Sequence, residues 1–425
     1  MTIAIFLGSL LGAMALGIPI SYALLLCGTA LMWHLGTFDA QILAQNVITG
    51  ADSFPLLAVP FFMLAGEIMN AGGLSRRIVA VAMALVGHVR GGLGYVAILA
   101  AIMMSALSGS AVADAAALTA LLLPMMHSAG HDRARSAGLL ASASVLGPII
   151  PPSIGFVIFG VAANVSISKL FMAGIAPGLM LGAALWVTWW WVARKENVTP
   201  PPRKSRAEVS AAFKDATFAL GLPVIVLVGL KMGVFTPTEA AVVAAVYALA
   251  VSLLVYRELR ISQLYGLFLA AAKTTAVIMF LVAAAMVSAW MITVAQLPDQ
   301  IVTLLNPLID NPTLLMLAIM VLVMLVGTAM DMTPTILVLT PVLMPIVKAA
   351  GIDPVYFGVL FIINNAVGLI TPPVGTVLNT VAGVGRVGMD EVTRGMLPFM
   401  VAQFAILFLM VLFPSLVMVP ARWFY

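Results

Sequence analysis

The chain has 425 residues, of which 63% are hydrophobic and 8% charged, and its formal net charge is +4. Apolar runs of about 20 residues recur from end to end, so the sequence predicts an all-α polytopic membrane protein and excludes a soluble globular domain. Most basic residues lie in short loops, which is typical of cytoplasmic loops, and we expect no nucleic-acid partner. The single cysteine, Cys27, excludes a disulfide framework and a cysteine zinc site.

The chain begins with an apolar stretch, Met1 to Leu35, that has no basic n-region. This indicates retained membrane segments rather than a cleaved signal. Only one stretch is strongly polar, RKENVTPPPRKSRAEVSAAFKD, Arg194 to Asp215, with six basic residues and three consecutive prolines. We predict a cytoplasmic loop or linker over residues 194–215, between an N-terminal half, 1–193, and a C-terminal half, 216–425.

The two halves are related by an internal repeat. Residues 110–177 align with residues 331–398 without a gap, and seven glycines and prolines coincide, including Pro151-Pro152 with Pro372-Pro373. Composition alone predicts about 0.7 such matches. Residues 70–135 carry five basic and two acidic side chains, whereas the matching residues 291–356 carry one basic and four acidic. The opposite charge bias predicts two inverted-topology repeats.

Each unit contains two interrupted apolar segments. In the first, LSGSAVAD (Leu107 to Asp114) lies between apolar stretches of about ten residues, too short to span a membrane. It predicts a re-entrant hairpin near residues 100–127 with its tip at Ser108-Gly109-Ser110. GPIIPPSIG (Gly147 to Gly155) then predicts an unwound transmembrane helix near residues 138–163. In the second unit, VGTAMDMTP and NNAVGLITPPVGT predict a hairpin near residues 314–348 and an unwound helix near 357–384.

The interruptions in these apolar segments suggest binding sites for a cation and a carboxylate. Prolines and glycines leave backbone carbonyls unpaired, and with Ser, Thr and Asn oxygens they suit a hard cation such as sodium. Half-helix N-termini at the tips favour a carboxylate. A lone Pro-Pro pair is most often a packing kink, and Ser108, Ser110 and Thr328 could equally bond back to their own helices. Repetition in register favours a site, and the substrate-binding candidates are Ser108, Gly109, Ser110, Pro152, Ser153, Thr328, Asn364, Asn365 and Pro373.

Charge inside the apolar segments is scarce. Asp114 and Asp331 flank the two tips, and three roles stay open for them: completing a cation site, capping a half-helix, which is the commonest, or carrying a proton. Glu67 and Lys273 either pair with each other or face a cavity. Metalloprotease, hydrolase-elbow and nucleotide-binding motifs are absent, so we expect no enzymatic activity and no cofactor. A membrane scaffold would not need two matched polar interruptions, so transport driven by an ion gradient is the favoured hypothesis.

Several stretches together resemble the large membrane subunit of TRAP (tripartite ATP-independent periplasmic) transporters. GLKMGVFTPTEAAVVAAVYAL, from Gly229, resembles the family's G-x-F-T-P-T-E-A-A signature, and PFFMLAGEIMNAGGLSRRI, SGSAVADAAA and GPIIPPSI are similar as well. The resemblance covers essentially the whole chain and is greatest to permeases of 2,3-diketo-L-gulonate systems. We expect the short turn Thr236 to Glu239 to serve scaffold structure or partner contact rather than substrate binding.

The resemblance implies an elevator mechanism, in which the two hairpins and two unwound helices slide against a scaffold, driven by sodium. It also implies a small four-helix membrane subunit and a periplasmic binding protein, both separate chains, and a multi-pass location in the bacterial inner membrane. By motif, the family's sodium sites correspond to Ser105, Ser108, Gly147 and Pro151, and to Gly327, Thr328, Gly368 and Thr371. The implied function is sodium-coupled uptake of a small organic acid such as a sugar acid. The alternatives are a stand-alone dicarboxylate or citrate-type symporter and a non-transporting scaffold.

Overall fold

The computed structural model describes residues 2–194, 196, 198, 200–297, 300 and 306–423. Every regular element in these ranges is a helix. Among them, seven helices are long and apolar enough to cross a membrane, or eight if one bent pair forms a single span. The predicted all-α, polytopic class is therefore confirmed. Lys195 of the predicted linker and Asp299 of the charge comparison lie outside the described residues.

The first half contains helices of two kinds, long spans and shorter segments that end at polar or glycine-rich turns. They are α1 (Thr2–Ala15), α2 (Ile20–His34), α3 (Ala40–Ala51), α4 (Ala58–Ala71), α5 (Leu74–Val86), α6 (Gly92–Ser108), α7 (Ala111–Ser128), α8 (Arg133–Ser144), α9 (Ile154–Ala163) and α10 (Ile167–Ala193). A 3-10 turn, Phe54–Leu57, leads into α4. The side chains of Asp132, Ser153 and Ser166 accept backbone N–H bonds and so begin α8, α9 and α10.

The linker and the second half follow the same pattern. They contain α11 (Arg206–Asp215), α12 (Thr217–Lys231), α13 (Pro237–Ala250), α14 (Ile261–Val294), α15 (Asn306–Ile309), α16 (Pro312–Gly327), α17 (Met332–Ala349), α18 (Pro354–Gly368), α19 (Thr376–Gly385), α20 (Met389–Leu412) and α21 (Ser415–Arg422). The prolines and charges of the linker suggested a loop, but its second part is a helix. Ser205 and Glu208 form a capping box that starts α11 directly after the proline run.

The hairpins are α6 with α7 and α16 with α17, joined at Gly109-Ser110 and at residues 328–331. Their arms have 16 to 18 residues, so the expectation of arms of about ten residues was wrong. The length of an apolar run indicates how much of a segment is buried, and a helix can continue beyond it. The alanine-rich stretch AVADAAALT is not strongly apolar, yet it continues α7. Gly109 has φ +60° and its position faces the carbonyl oxygen of Pro152, so a side chain is excluded on both counts.

Each unit also contains one broken helix. Residues 145–153 separate α8 from α9, and residues 369–375 separate α18 from α19. Both breaks contain a cis peptide bond, Pro151-Pro152 and Pro372-Pro373. The first break is buried throughout, whereas Pro372 and Pro373 are exposed. Equivalent sequences therefore form similar backbone breaks in different surroundings.

The last long helices of the two units, α10 and α20, run in opposite directions. α20 begins beside the start of α8, where Gly395 lies against the backbone of Ala134. α10 ends at this same place, because Trp189 packs on His131 just before α8. Since α10 and α20 are equivalent helices of the internal repeat, one ends where the other begins.

The hairpins and broken helices pack on one another, together with α10 and α20, and form one body. α4 packs on α13, and α14 packs on α2, α3 and α4, which makes a second group of helices. The tips of both hairpins lie where these two groups meet.

Candidate functional site

A cavity of about 640 Å³ lies between the two hairpin tips. Gly109, Ser110 and the first turn of α7 line one side, Asp331 and the start of α17 line another, and α2, α4 and α14 complete it. Its polar side chains are Ser21, Glu67, Ser110, Thr274, Asp331 and Thr333. Among the residues that the structure describes, the lining therefore holds two carboxylates and no basic side chain. A cavity of this volume accommodates a small organic molecule.

At the first tip, a buried carboxylate has only one donor. The Ser108 hydroxyl donates to Asp114 Oδ1 at 2.6 Å, while Asp114 Oδ2 has no hydrogen-bond partner in the part of the chain that the structure describes. Gly147 of the broken helix lies against that oxygen, so closely that a Cβ there would be 2.8 Å away. A buried carboxylate oxygen without a hydrogen-bond partner suits a hard cation.

The other two predicted ligands of the first sodium site, Ser105 and Pro151, form no hydrogen bond with this carboxylate. The Ser105 hydroxyl donates to the carbonyl of Ala101 in its own helix. Pro151 is buried in the break between α8 and α9. The structure thus brings Ser108 and Gly147 together at Asp114, a residue outside the predicted ligand set.

At the second tip, backbone contacts dominate. Gly327 and Gly368 pack against each other, and a Cβ on Gly368 would lie 3.1 Å from the Gly327 carbonyl oxygen. The Thr328 carbonyl accepts from the Val374 N–H at 3.3 Å, which fastens the tip to the second break. The Thr328 hydroxyl donates to Leu325 in its own helix.

The remaining second-site ligand, Thr371, follows the same pattern as Thr328. Its hydroxyl donates to the Val367 carbonyl one turn earlier. Of the two outcomes left open for such hydroxyls, bonding back to the helix is therefore observed at both threonines. Their oxygen lone pairs and the carbonyls around Gly327 and Gly368 are the atoms that a cation would use here.

The two aspartates do not cap their helices. Ser110, not Asp114, caps α7 by accepting the Ala113 N–H. Asp331 occupies the N-cap position of α17 but makes no cap bond with its side chain. Its carboxylate accepts from the Thr376 hydroxyl at 3.2 Å, so it links the second tip to α19 and also faces the cavity. Of the three roles left open for these residues, side-chain capping is therefore observed at neither.

Five substrate-binding candidates lie away from the cavity lining, namely Pro152, Ser153, Asn364, Asn365 and Pro373. The amide of Asn364 donates to the Met320 carbonyl at 2.6 Å and ties α18 to α16, and that of Asn365 donates to Phe361 within α18. Ser153 caps α9. Ser108 and Thr328 also lie outside the lining, so only Gly109 and Ser110 of the predicted substrate residues reach it.

Three polar residues of the lining were absent from the predicted site: Ser21, Thr274 and Thr333. Ser21 and Thr274 are ordinary residues of apolar helices, and no local pattern distinguishes them. Thr333 lies in the VGTAMDMTP stretch that predicted the second hairpin. Glu67 was noted as an isolated charge, and it does face the cavity. Lys273 precedes Thr274 on α14, is exposed, and forms no ion pair with Glu67.

The turn Thr236 to Glu239 has a structural role. The Thr236 hydroxyl accepts the Glu239 N–H, and the Glu239 carboxylate accepts the Thr236 N–H, which forms a capping box at the start of α13. The Thr238 hydroxyl donates to the Phe54 carbonyl, which ties this turn to the segment before α4. None of the four residues lines the cavity between the tips.

Comparison with known proteins agrees with this architecture. The chain has the fold of the YdaH transporter of Alcanivorax borkumensis, with a TM-score of 0.65, 17% identity and coverage of 88% of this chain and 89% of that one.

Other known proteins are more similar to this chain in sequence than the YdaH transporter is. The chain is 56% identical, over 100% of both chains, to the 2,3-diketo-L-gulonate TRAP transporter large permease protein YiaN of Escherichia coli (strain K12). It is 38% identical, over 95% of both, to the sialic acid TRAP transporter large permease protein SiaM of Vibrio cholerae. These relatives are permeases and not enzymes. Residues 7–416 match the family described as "Tripartite ATP-independent periplasmic transporter, DctM component". The chain therefore belongs to this family of TRAP transporter large permeases and is a multi-pass membrane protein.

Proposed function

We propose that this permease couples sodium entry to the uptake of a sugar acid. The cavity between the tips carries the proposal, because Glu67 and Asp331 line it and no basic side chain does. A carboxylate that enters such a cavity is repelled by two like charges unless cations enter with it. Coupling to a cation gradient supplies that compensation.

The residues present fit two cation sites beside the cavity. At the first, the free oxygen of Asp114, the Ser108 oxygen and the backbone at Gly147 would hold the ion. At the second, the carbonyls at Gly327 and Gly368 and the hydroxyl oxygens of Thr328 and Thr371 would do so. Bound sodium supplies positive charge at the tips, and Ser110 and Asp331 then position the substrate from the two hairpins.

The substrate class rests on the relatives. The relative at 56% identity is named for 2,3-diketo-L-gulonate, and the one at 38% for sialic acid. Both are sugar acids with a carboxylate. Since the family is tripartite and periplasmic, a small membrane subunit and a periplasmic binding protein are the proposed partners, and the bacterial inner membrane is the proposed location.

We also propose that the hairpin body slides against the second group of helices. The cavity supports this, because the tips line one side of it and α2, α4 and α14 the other. Cysteines introduced at Ser21 and Ala113 in a Cys27→Ser background, joined by a short bifunctional thiol reagent, should abolish uptake until the link is cleaved. Native Cys27 with Ser288→Cys is the matched control, because these side chains lie 3.3 Å apart between α2 and α14. Equal uptake with and without the Ser21–Ala113 link would contradict sliding.

The function itself is tested by uptake of labelled 2,3-diketo-L-gulonate into proteoliposomes. The vesicles contain this chain and its small partner, under an inward sodium gradient, with and without the binding protein. Uptake that requires sodium and the binding protein supports the proposal. Uptake without the binding protein indicates a stand-alone symporter, and no uptake under any gradient by correctly inserted protein indicates a scaffold.

A further inference from the structure

α5 and the start of α11 enclose a second cavity, of about 470 Å³, on the linker side of the protein. Its charged lining consists of Arg203, Lys204 and Arg206, and His88 lies opposite them. The other lining residues are Ala84, Leu85, Val209 and Ser210, so no acidic side chain lines it. Three cations around one cavity produce a positive potential that attracts an anion.

This cavity lies at the level of the membrane surface. Both ends of α5 lie on the linker side, because Arg77 near its start contacts Asp215 and the loop after it reaches the linker through Arg90 and the Arg194 carbonyl. α5 therefore lies along this surface, which the positive-inside rule places in the cytoplasm. α11 packs on α5 and has no buried residues, as expected of a helix at the interface.

Two of the three cations of this cavity, Arg203 and Arg206, have no counter-ion among the described residues. Arg203 and Arg206 make no hydrogen bond or ion pair with any residue that the structure describes. Lys204 lies near Glu208, but that carboxylate already accepts from the Ser205 N–H. The Nδ1 atom of His88 is buried and has no partner among the described residues.

Three basic side chains elsewhere on this surface form ion pairs. Arg76 and Arg77 contact Glu258, and Arg135 contacts Glu196. These three side chains are thus neutralised by ion pairs, whereas Arg203 and Arg206 form none with the described residues.

An apolar groove begins on the other side of α11. It is shallow, shares Ser210 with the basic cavity, and is lined by Ser210, Phe213, Lys214, Thr217, Leu220, Gly221, Val224 and Ile225. α11 meets α12 at 59°, so the groove turns from the interface along the spanning direction of α12. Phe213 and Val224 are 40% and 59% exposed along it. A free phosphate would be satisfied by the basic cavity alone and leaves this groove without a function.

We propose that the basic cavity binds the phosphate of an anionic phospholipid and that the groove along α12 holds its acyl chains. The arrangement combines the two attractions that membrane lipids offer, a negative headgroup for arginine and lysine and a hydrocarbon tail for exposed apolar side chains. The bound lipid fastens the linker helix to α5. This site is separate from the substrate cavity and does not depend on the proposed substrate or coupling ion.

The test uses the full chain, purified and stripped of lipid in a neutral detergent, with titration of phosphatidylglycerol followed by native mass spectrometry. The double variant Arg203→Gln/Arg206→Gln should bind phosphatidylglycerol roughly 25-fold more weakly, since each basic side chain near the surface contributes about fivefold. Arg257→Gln/Arg260→Gln removes the same charge from the same surface outside the cavity, and it should bind within about twofold of the wild type. Arg203→Lys/Arg206→Lys should retain binding, which separates charge from folding.

Three results would overturn the proposal. Equal weakening in the two glutamine doubles would indicate general attraction by surface charge. Equal binding of phosphatidylcholine would show that the headgroup charge is not recognised. Displacement of phosphatidylglycerol by millimolar inorganic phosphate would assign the cavity to a soluble anion.

Discussion

The Ser108 hydroxyl donates to Asp114, and the turn at the first hairpin tip holds this hydroxyl in position. The Ser110 N–H donates to the Ser108 oxygen at 3.2 Å, which orients the hydroxyl hydrogen toward Asp114 Oδ1. The carboxylate is fully buried, so the energy of its second oxygen depends on what occupies the space beside Gly147. A buried polar group without a partner costs about 1–3 kcal/mol, and more when it is charged.

Ser108→Ala should therefore destabilise the protein by about 2 kcal/mol or more in sodium-free buffer, and added sodium should restore less stability than it gives the wild type. Thermal unfolding can be followed by labelling of buried Cys27 with a fluorescent maleimide. Ser144→Ala is the matched control, because Ser144 is equally buried and bonds only to Leu140 in its own helix. Identical sodium responses in Ser108→Ala and wild type would remove this residue from the cation site.

At the scale of helices, the two units are held together by a close crossing of α8 and α20. Gly138 and Gly395 let the backbones touch, as small residues do in membrane helix packing. A Cβ on Gly138 would lie 2.3 Å from the carbonyl carbon of Gly395, and backbone cannot move aside as a flexible side chain can. Gln403 reinforces the crossing by donating to the Ser142 carbonyl.

Gly138→Ala should consequently lower stability by about 3 kcal/mol, because the helices must separate to admit the methyl group. Gly266→Ala on α14 meets no atom within 4 Å and should be neutral or slightly stabilising. Thermal midpoints from the same Cys27 labelling assay give the comparison. Equal thermal midpoints for Gly138→Ala and Gly266→Ala would show that α8 and α20 leave room for a methyl group at their crossing.

Across the whole molecule, Arg77 joins parts of the chain that are far apart in sequence. Its guanidinium contacts Glu258 at 2.6 Å and Asp215 at 3.2 Å, and it lies 3.7 Å from the centre of the Tyr256 ring. It therefore ties α5 of the first half to the end of the linker and to the loop before α14. Partial burial alone would raise the pKa of Glu258, but hydrogen bonds and charge from Arg77, with Arg76, outweigh this and hold the pKa below its usual value.

Since the folded state binds this proton less tightly than the unfolded state, the pair stabilises the protein fully above the usual glutamate pKa of about 4.3, and the contribution is lost as pH falls through the lowered value. Wild type should exceed Glu258→Gln in stability by about 1 kcal/mol at pH 6, and the difference should shrink below about pH 4. Unfolding of both proteins from pH 3 to 6 checks this. A difference independent of pH would contradict the ionic contribution.

Some of the site was predictable because its signals are local. Glycines and prolines act on the backbone within a turn, so the tip at Gly109 and the breaks at Pro151-Pro152 and Pro372-Pro373 follow from short stretches of sequence. The roles of individual side chains were harder to predict from the sequence. Asn364 and Asn365 were predicted to meet substrate. The Asn364 amide donates to the Met320 carbonyl, a bond that depends on how α18 packs on α16, and the Asn365 amide donates to Phe361 within α18.

The membrane class, the helical content, the internal repeat and the family were all predictable from the sequence, because the bilayer imposes long apolar runs and repeated motifs survive as patterns along one chain. The rest is set by helix packing, which places Glu67, Thr274 and Asp331 around one cavity, Asp114 against Gly147, and Arg206 beside α5. These facts join residues from different helices. Their distances follow from the packing of whole helices, and no local stretch of sequence encodes them.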